Sequence, residues 1–148
     1  MDQRMDARRL APKGYAAVFA LEEHVRSALD HRLLELVKLR ASLVNGCAFC
    51  VDMHGTDLLG VGEDVRRVLA VAAWRESPFF DPAERAALAL TDAVTRLGEH
   101  GVPDDVWADA VEAHGDATVA ELLIAISTIN VWNRLAMSTH AAPPALAG

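Results

Sequence analysis

The chain's only two cysteines, Cys47 and Cys50, are spaced C-x-x-C. Three positions apart on a helix, two side chains share a face, and their Cα atoms approach the separation a disulfide requires. The pair follows Asn45-Gly46, two residues that tolerate the left-handed backbone with which helices end. A new helix is therefore expected near Cys47, with both sulfurs in its first turn. Unpaired backbone N–H groups and the positive end of the helix dipole favour a thiolate there, the form of sulfur that attacks an O–O bond. His54 lies four residues beyond Cys50, one turn on, placed to take a proton from that sulfur or deliver one to a leaving alkoxide. Glu35 stands twelve residues before Cys47. If its helix doubles back across Asn45-Gly46, its carboxylate reaches the same place. The cations on its own helix that could instead hold it in an ion pair are Lys38 and Arg40.

Other uses of the pair fit less well. A tetrahedral zinc site needs four ligands, but there is no second cysteine pair, and His24, His31, His100, His114 and His140 show no convincing metal-binding spacing. Covalent haem attachment requires a histidine after the second cysteine, where Val51 stands. A bridge between residues three apart closes too small a loop to stabilise much. With no Gly-rich phosphate loop either, no metal and no organic cofactor are expected.

These residues belong to a chain of 148, 52% hydrophobic, 24% charged and only 5% aromatic. That length supports one hydrophobic core, and an apolar content rich in Ala and Leu favours helices. Helix punctuation recurs throughout. Pro12 opens a first helix, reaching roughly Ala28. Asp30 caps a second, whose Leu34, Leu36, Val37, Leu39 and Leu43 help form a broad apolar face ending at Asn45-Gly46. A third helix runs from Cys47 toward Leu59 and stops at Gly60. A fourth starts at Gly62-Glu63-Asp64 and continues to Ser77-Pro78. Asp81-Pro82-Ala83-Glu84 combines a capping side chain, proline at the first helical position and a carboxylate three residues on. Pro103-Asp104-Asp105 starts another helix, and Thr118-Val119-Ala120-Glu121 reads as a capping box for the last. No segment alternates like a half-buried strand, so the fold class is all-α.

Residues 1–11 are expected to form a flexible N-terminal segment, 12–140 one helical domain, and 141–148, with Pro143 and Pro144, a flexible tail. The last helix, containing Leu122, Leu123, Ile126, Ile129 and Val131, is apolar on more than one face. That pattern predicts burial between the subunits of a homo-oligomer. A formal net charge of -7 without a basic cluster argues against a nucleic-acid partner. The charged start of the chain has no apolar stretch behind it like that of a secretory signal. The stretch Val119 to Val131 carries Glu121 and Asn130 and is too short to span a bilayer. No membrane partner and a cytoplasmic location are expected, and in that compartment a cysteine pair serves redox chemistry or metal binding more readily than architecture.

Glu35, eleven residues, Cys47-Ala48-Phe49-Cys50, three residues and His54 resemble the E-x11-C-x-x-C-x-x-x-H signature of the alkylhydroperoxidase AhpD-like proteins, within the carboxymuconolactone decarboxylase superfamily. The flanks Leu34 to Ser42, Asn45-Gly46, Ala73 to Ser77 and Ile129 to Arg134 resemble its short members too, so that the likeness spans roughly residues 12–140. It implies an all-helical domain assembled as a trimer or hexamer. It also implies that the second cysteine, here Cys50, attacks the peroxide, that Cys47 resolves the sulfenic acid as a disulfide, and that Glu35 and His54 relay protons. The reductant it implies is a dithiol donor, either a lipoyl-bearing protein or a thioredoxin-like one. Dipole reasoning alone favours Cys47, nearer the helix start, as the attacking sulfur; the resemblance and the spacing of His54 favour Cys50. Phe49 stands where the founding subgroup has a relay histidine, which removes one proton-transfer group and makes Phe49 a packing residue at the mouth of the site. The expected function is a thiol-dependent peroxidase. Alternatives are ring-acid decarboxylation, which has no use for two thiols, and a non-catalytic redox-sensing or binding oligomer, which would oxidise once without turnover.

Overall fold

A computed structural model of the protein describes residues 2–146. Among them the backbone forms α1 (Ala7–Leu10), α2 (Pro12–Ala28), α3 (His31–Asn45), α4 (Ala48–Gly60), α5 (Val65–Ala70), a 3-10 turn at Val71–Ala73, α6 (Pro82–Thr95) and α7 (Asp104–Thr139). The nearest approach to a strand among the described residues is an isolated bridge between Gly98 and Gly101. The all-α class therefore holds, and no helix among these residues is long and apolar enough to cross a membrane.

Several helix starts follow local chemistry. The Asp30 side chain accepts the Leu33 N–H at 3.0 Å to open α3. At α6, Asp81 accepts the Glu84 N–H at 2.8 Å while Glu84 accepts the Asp81 N–H at 2.9 Å, with Pro82 at the first helical position. The helix that matters most for the site is α3, which packs against α4, α6 and α7. Its consecutive residues Leu34, Glu35, Leu36, Val37, Lys38 and Leu39 are each at most 3% exposed. Leu34 and Val37 join Val25, Leu90, Leu122 and Ile126 in one cluster. Leu36 and Leu39 join Leu58, Val71, Trp74, Phe80 and Leu88 in a second. A helix buried around its whole circumference leaves its polar residues no water to turn to, so Glu35 and Lys38 must find partners in the protein.

Other elements depart from expectation. Within the N-terminal segment expected to be flexible, Asp6 accepts the Arg9 N–H at 3.0 Å and caps α1. Arg4 donates its backbone N–H to the Thr139 carbonyl at 2.9 Å and its guanidinium to the Ser138 carbonyl at 3.2 Å, tying this segment to the end of α7. The helix that begins after Asp64 leaves α geometry at Ala70 rather than reaching Ser77. There the Arg85 guanidinium binds the carbonyls of Trp74, Arg75 and Ser77 at 2.9–3.1 Å and holds the chain in a turn. Thr118 is not a helix cap. The break in α7 falls three residues earlier, at Gly115, whose φ of 77° and ψ of 157° suit glycine almost alone. Beyond the break, Val119, Leu122, Ala125, Ile126 and Ile129 are buried within the single chain, while Ile124 and Val131 remain 37% exposed on the other side. Of the segment expected as a flexible tail, 141–146 have no regular secondary structure, and 147–148, like residue 1, lie outside the described residues.

Candidate active site

The turn between α3 and α4 sets the position of the cysteines. The Ser42 carbonyl accepts the N–H groups of both Gly46, at 2.9 Å, and Cys47, at 3.0 Å, which closes α3. Gly46 is left-handed, at φ 76° and ψ 31°, and nothing lies within 4 Å of where a Cβ would project. The demand for glycine there is conformational, not steric. Immediately after it, Cys47 occupies the cap of α4, and its sulfur accepts the Cys50 N–H at 3.4 Å. The two Cα atoms are 5.4 Å apart and the sulfurs are joined as a disulfide. Both cysteines are 1% exposed. The C-x-x-C thus starts a helix and shares one turn, as its spacing predicts.

Doubling back across Gly46 brings Glu35 of α3 against α4. His54 Nδ1 lies 2.7 Å from Glu35 Oε2, and both side chains are buried. His54 Nε2 is also buried and has no hydrogen-bond partner among the described residues. His54 and Cys50 open onto a common cavity of about 350 Å³, walled by Tyr15 and Phe19 of α2, Met53 of α4, and Trp132 and Leu135 of α7. The Trp132 ring centroid is 5.8 Å from that of Tyr15 and 4.9 Å from that of Phe19. Half-buried Phe49 lines the same cavity. Asp6 and Arg8 from the N-terminal segment and Glu22 and Arg26 of α2 add charge to an otherwise largely apolar lining.

The charges behind His54 extend further than the sequence motif. Lys38 is wholly buried and donates from Nζ to Glu35 Oε1 at 3.2 Å and also to Glu22. Glu22 accepts in addition from Arg26 Nε at 2.9 Å. Burial by itself would raise the Glu35 pKa, but the His54 hydrogen bond, the charge that ring carries when protonated and the Lys38 ammonium outweigh it and bring the carboxyl down to about 2. Glu22 is likewise lowered, burial again being overcome by Lys38 and Arg26. Arg40, the other cation considered for Glu35, is committed to Asp92, with Nε 2.5 Å from Oδ1. Glu35, His54 and Asp57 place one donor atom each within 4.8 Å of the others, a grouping that could hold a metal ion. A divalent ion there would share Glu35 with an ammonium already bound to it.

A polar brace stands behind the cysteine turn. Asn45 Nδ2 donates to Oδ1 of Asn130 at 3.0 Å and of Asn133 at 2.8 Å. Asn133 Nδ2 donates to Ser42 Oγ at 3.1 Å, and that hydroxyl donates to the Lys38 carbonyl at 2.7 Å. All four residues named from the sequence, Cys47, Cys50, His54 and Glu35, therefore meet in one place. The sequence pattern does not point to Glu22 or the brace, and it offers Lys38 only as an ion-pair partner for Glu35. A sharper signal for Lys38 was its position three residues after Glu35, inside an otherwise apolar run. Glu22 comes from a different helix and carried none.

Comparison with known proteins adds to this geometry. Residues 12–93, a stretch holding Glu35, both cysteines and His54, match the model of the carboxymuconolactone decarboxylase family. The uncharacterised protein YdfG of Bacillus subtilis is 36% identical over 139 residues, covering 93% of this chain and 95% of its own. The crystal structure of a protein of unknown function from Agrobacterium tumefaciens, described as a candidate antioxidant defence protein AhpD, matches with a TM-score of 0.95 and 39% identity, over 98% of this chain and 100% of that one. The debrominase Bmp8 shares the fold, with a TM-score of 0.81 at 19% identity over 90% of this chain and 73% of its own. A family match across more than half of the sequence, a relative alike over almost its full length and a superposable fold converge on one assignment: the chain belongs to the carboxymuconolactone decarboxylase family, as an AhpD-like member.

Proposed function

We propose that the protein is a thiol-dependent peroxidase that cycles through the Cys47–Cys50 disulfide. The observation that carries this reading is a single apolar cavity bordered by Cys50 and by a buried imidazole, with Nδ1 tied to a carboxylate and Nε2 unpartnered among the described residues. In the first step His54, steadied by Glu35, takes the proton of the Cys50 thiol. The thiolate attacks the terminal oxygen of a hydroperoxide. An S–O bond forms, the O–O bond breaks, sulfur is oxidised to the sulfenic acid, and the departing alkoxide collects the proton from His54. The Cys47 thiol then attacks the sulfenic sulfur, forming the disulfide and releasing water before irreversible oxidation can follow. An external dithiol opens that disulfide by exchange, becomes a disulfide itself and returns both cysteines as thiols. The cycle calls on no metal, flavin or nucleotide.

Because both cysteines are 1% exposed, the reductant has to reach into the cavity, which favours a slender lipoyl arm over a broad thioredoxin-like face. The proposal also includes a cytoplasmic homo-oligomer, trimer or hexamer, whose interface draws on the exposed side of α7 at Ile124 and Val131. The test is consumption of hydrogen peroxide and of an organic hydroperoxide with a dihydrolipoyl donor, run beside thioredoxin. Cys50→Ser is expected to abolish consumption, and Cys47→Ser to leave one turnover that ends in a trapped sulfenic acid or mixed disulfide. Native activity surviving loss of both cysteines would overturn the reading in favour of ring-acid decarboxylation. Oxidation that stops after one event with every dithiol tried would make the protein a sensor.

A further inference from the structure

Lys38 has no exposed surface, and both acceptors of its Nζ are carboxylates, Glu22 of α2 and Glu35 of α3. An ammonium buried this deeply is tolerated only when paired. Here it is paired twice, and one of the two carboxylates is shared with His54. The charged groups facing this cluster are Arg26 on α2, which binds Glu22, and Asp57 on α4, beside Glu35 and His54. On α7, Glu121 is taken up by His24 at 2.7 Å.

A carboxyl group beside a neutral imidazole can hold the hydrogen bond in either sense. An ionised Glu35 accepts from Nδ1–H and leaves the Nε2 lone pair free. A protonated Glu35 donates to Nδ1 and forces the ring proton onto Nε2. Only the first arrangement presents a base to the cavity. A positive charge at the far oxygen of the carboxylate favours the first. That oxygen, Oε1, lies 3.2 Å from Lys38 Nζ, while Oε2 faces His54.

We propose that Lys38 is a positioning residue: bridging Glu22 and Glu35, it keeps the Glu35 carboxylate accepting from His54 Nδ1 and so leaves Nε2 free toward the cavity that Cys50 lines. The inference rests on the reading of His54 as proton acceptor for Cys50. Glu22 is the outer anchor of the arrangement, since it holds the ammonium in place from the cavity side.

The tautomer can be read by long-range proton–nitrogen correlation on histidine-labelled, reduced protein, without peroxide or donor, at a pH where the imidazole is neutral. The native protein is expected to carry the ring proton on Nδ1. Lys38→Met, similar in length but uncharged, is expected to move it to Nε2, and Lys38→Arg to return it to Nδ1. In a Cys47→Ser background, alkylation of Cys50 by iodoacetamide should slow about ten-fold at neutral pH in Lys38→Met, its pH profile moving up by about one unit. A native protein protonated on Nε2 overturns the proposal, as does a Lys38→Met variant with native tautomer and native alkylation profile. Should Lys38→Met not fold, Lys38→Gln, which keeps a donor and drops the charge, is read in the same way. A protein that shows the tautomer and its dependence on Lys38 yet consumes no peroxide would sink the peroxidase reading and leave this assignment standing; peroxide turnover with the opposite tautomer would do the reverse.

Discussion

Replacing Glu35 by glutamine keeps the shape of the side chain and removes its charge, which makes it a substitute for the protonated acid at every pH. The Glu35 carboxyl falls from the ordinary value of 4.5 to about 2 in the folded protein. A shift of that size binds the carboxylate form about 3 kcal/mol more tightly than the acid. Because the folded value is the lower one, this stabilisation is complete above pH 4.5 and is lost as the pH falls from there toward 2. Native protein and Glu35→Gln should therefore differ by about 3 kcal/mol at neutral pH and converge in acid. Glu22 and Glu63 are lowered as well, so both proteins weaken in acid, and the gap between them isolates Glu35. Urea unfolding followed by circular dichroism, repeated down the acid range, measures that gap as a difference in midpoint. A gap that stays constant with pH, or a variant as stable as its parent at neutral pH, would refute the claim that Lys38 and His54 hold Glu35 ionised. The same pairing means that activity of Glu35→Gln has to be measured where the variant is shown to be folded.

Gly46→Ala should destabilise by about 1 kcal/mol, because the left-handed backbone disfavours a Cβ even where there is room for one; an unchanged melting temperature would show that the turn has another conformation. Asn133→Leu removes an acceptor from Asn45 and a donor to Ser42, and should cost about 2 kcal/mol while speeding amide exchange at Cys47. Exchange unaltered at that amide would mean the brace does not hold the cysteine turn. Trp132→Ala opens one wall of the cavity and should raise KM for a bulky aryl hydroperoxide about ten-fold, with little change for hydrogen peroxide. An equal effect on both peroxides would show that this wall does not touch substrate.

What the sequence made legible were features whose cause is local. Asn45-Gly46 ends α3, and Asp81 with Glu84 starts α6, because a few neighbouring atoms decide each case. The meeting of Cys47, Cys50 and His54 was readable for the same reason, since two successive turns of one helix hold all three. Glu35 needed one further assumption, a helix that doubles back, and the glycine turn supplies it. Legibility ended where packing between distant elements decides. Thr118 looks like a cap, but Gly115 takes the break in α7 and leaves Thr118 inside the helix. Lysine is ordinarily a surface residue, so nothing in the type of Lys38 announced that α3 would be enclosed on every side. Asn130 and Asn133 look like flaws in an apolar helix until Asn45 and Ser42 are seen to need them.

Cys47 caps α4 with sulfur, where most helices are capped by an oxygen. The choice of replacement at this position therefore changes what is measured. Serine withdraws the redox partner of Cys50 but offers the Cys50 amide a better acceptor, whereas alanine withdraws partner and acceptor together. The difference between these two variants weighs the architectural duty of one thiol against its chemical duty, within a single side chain.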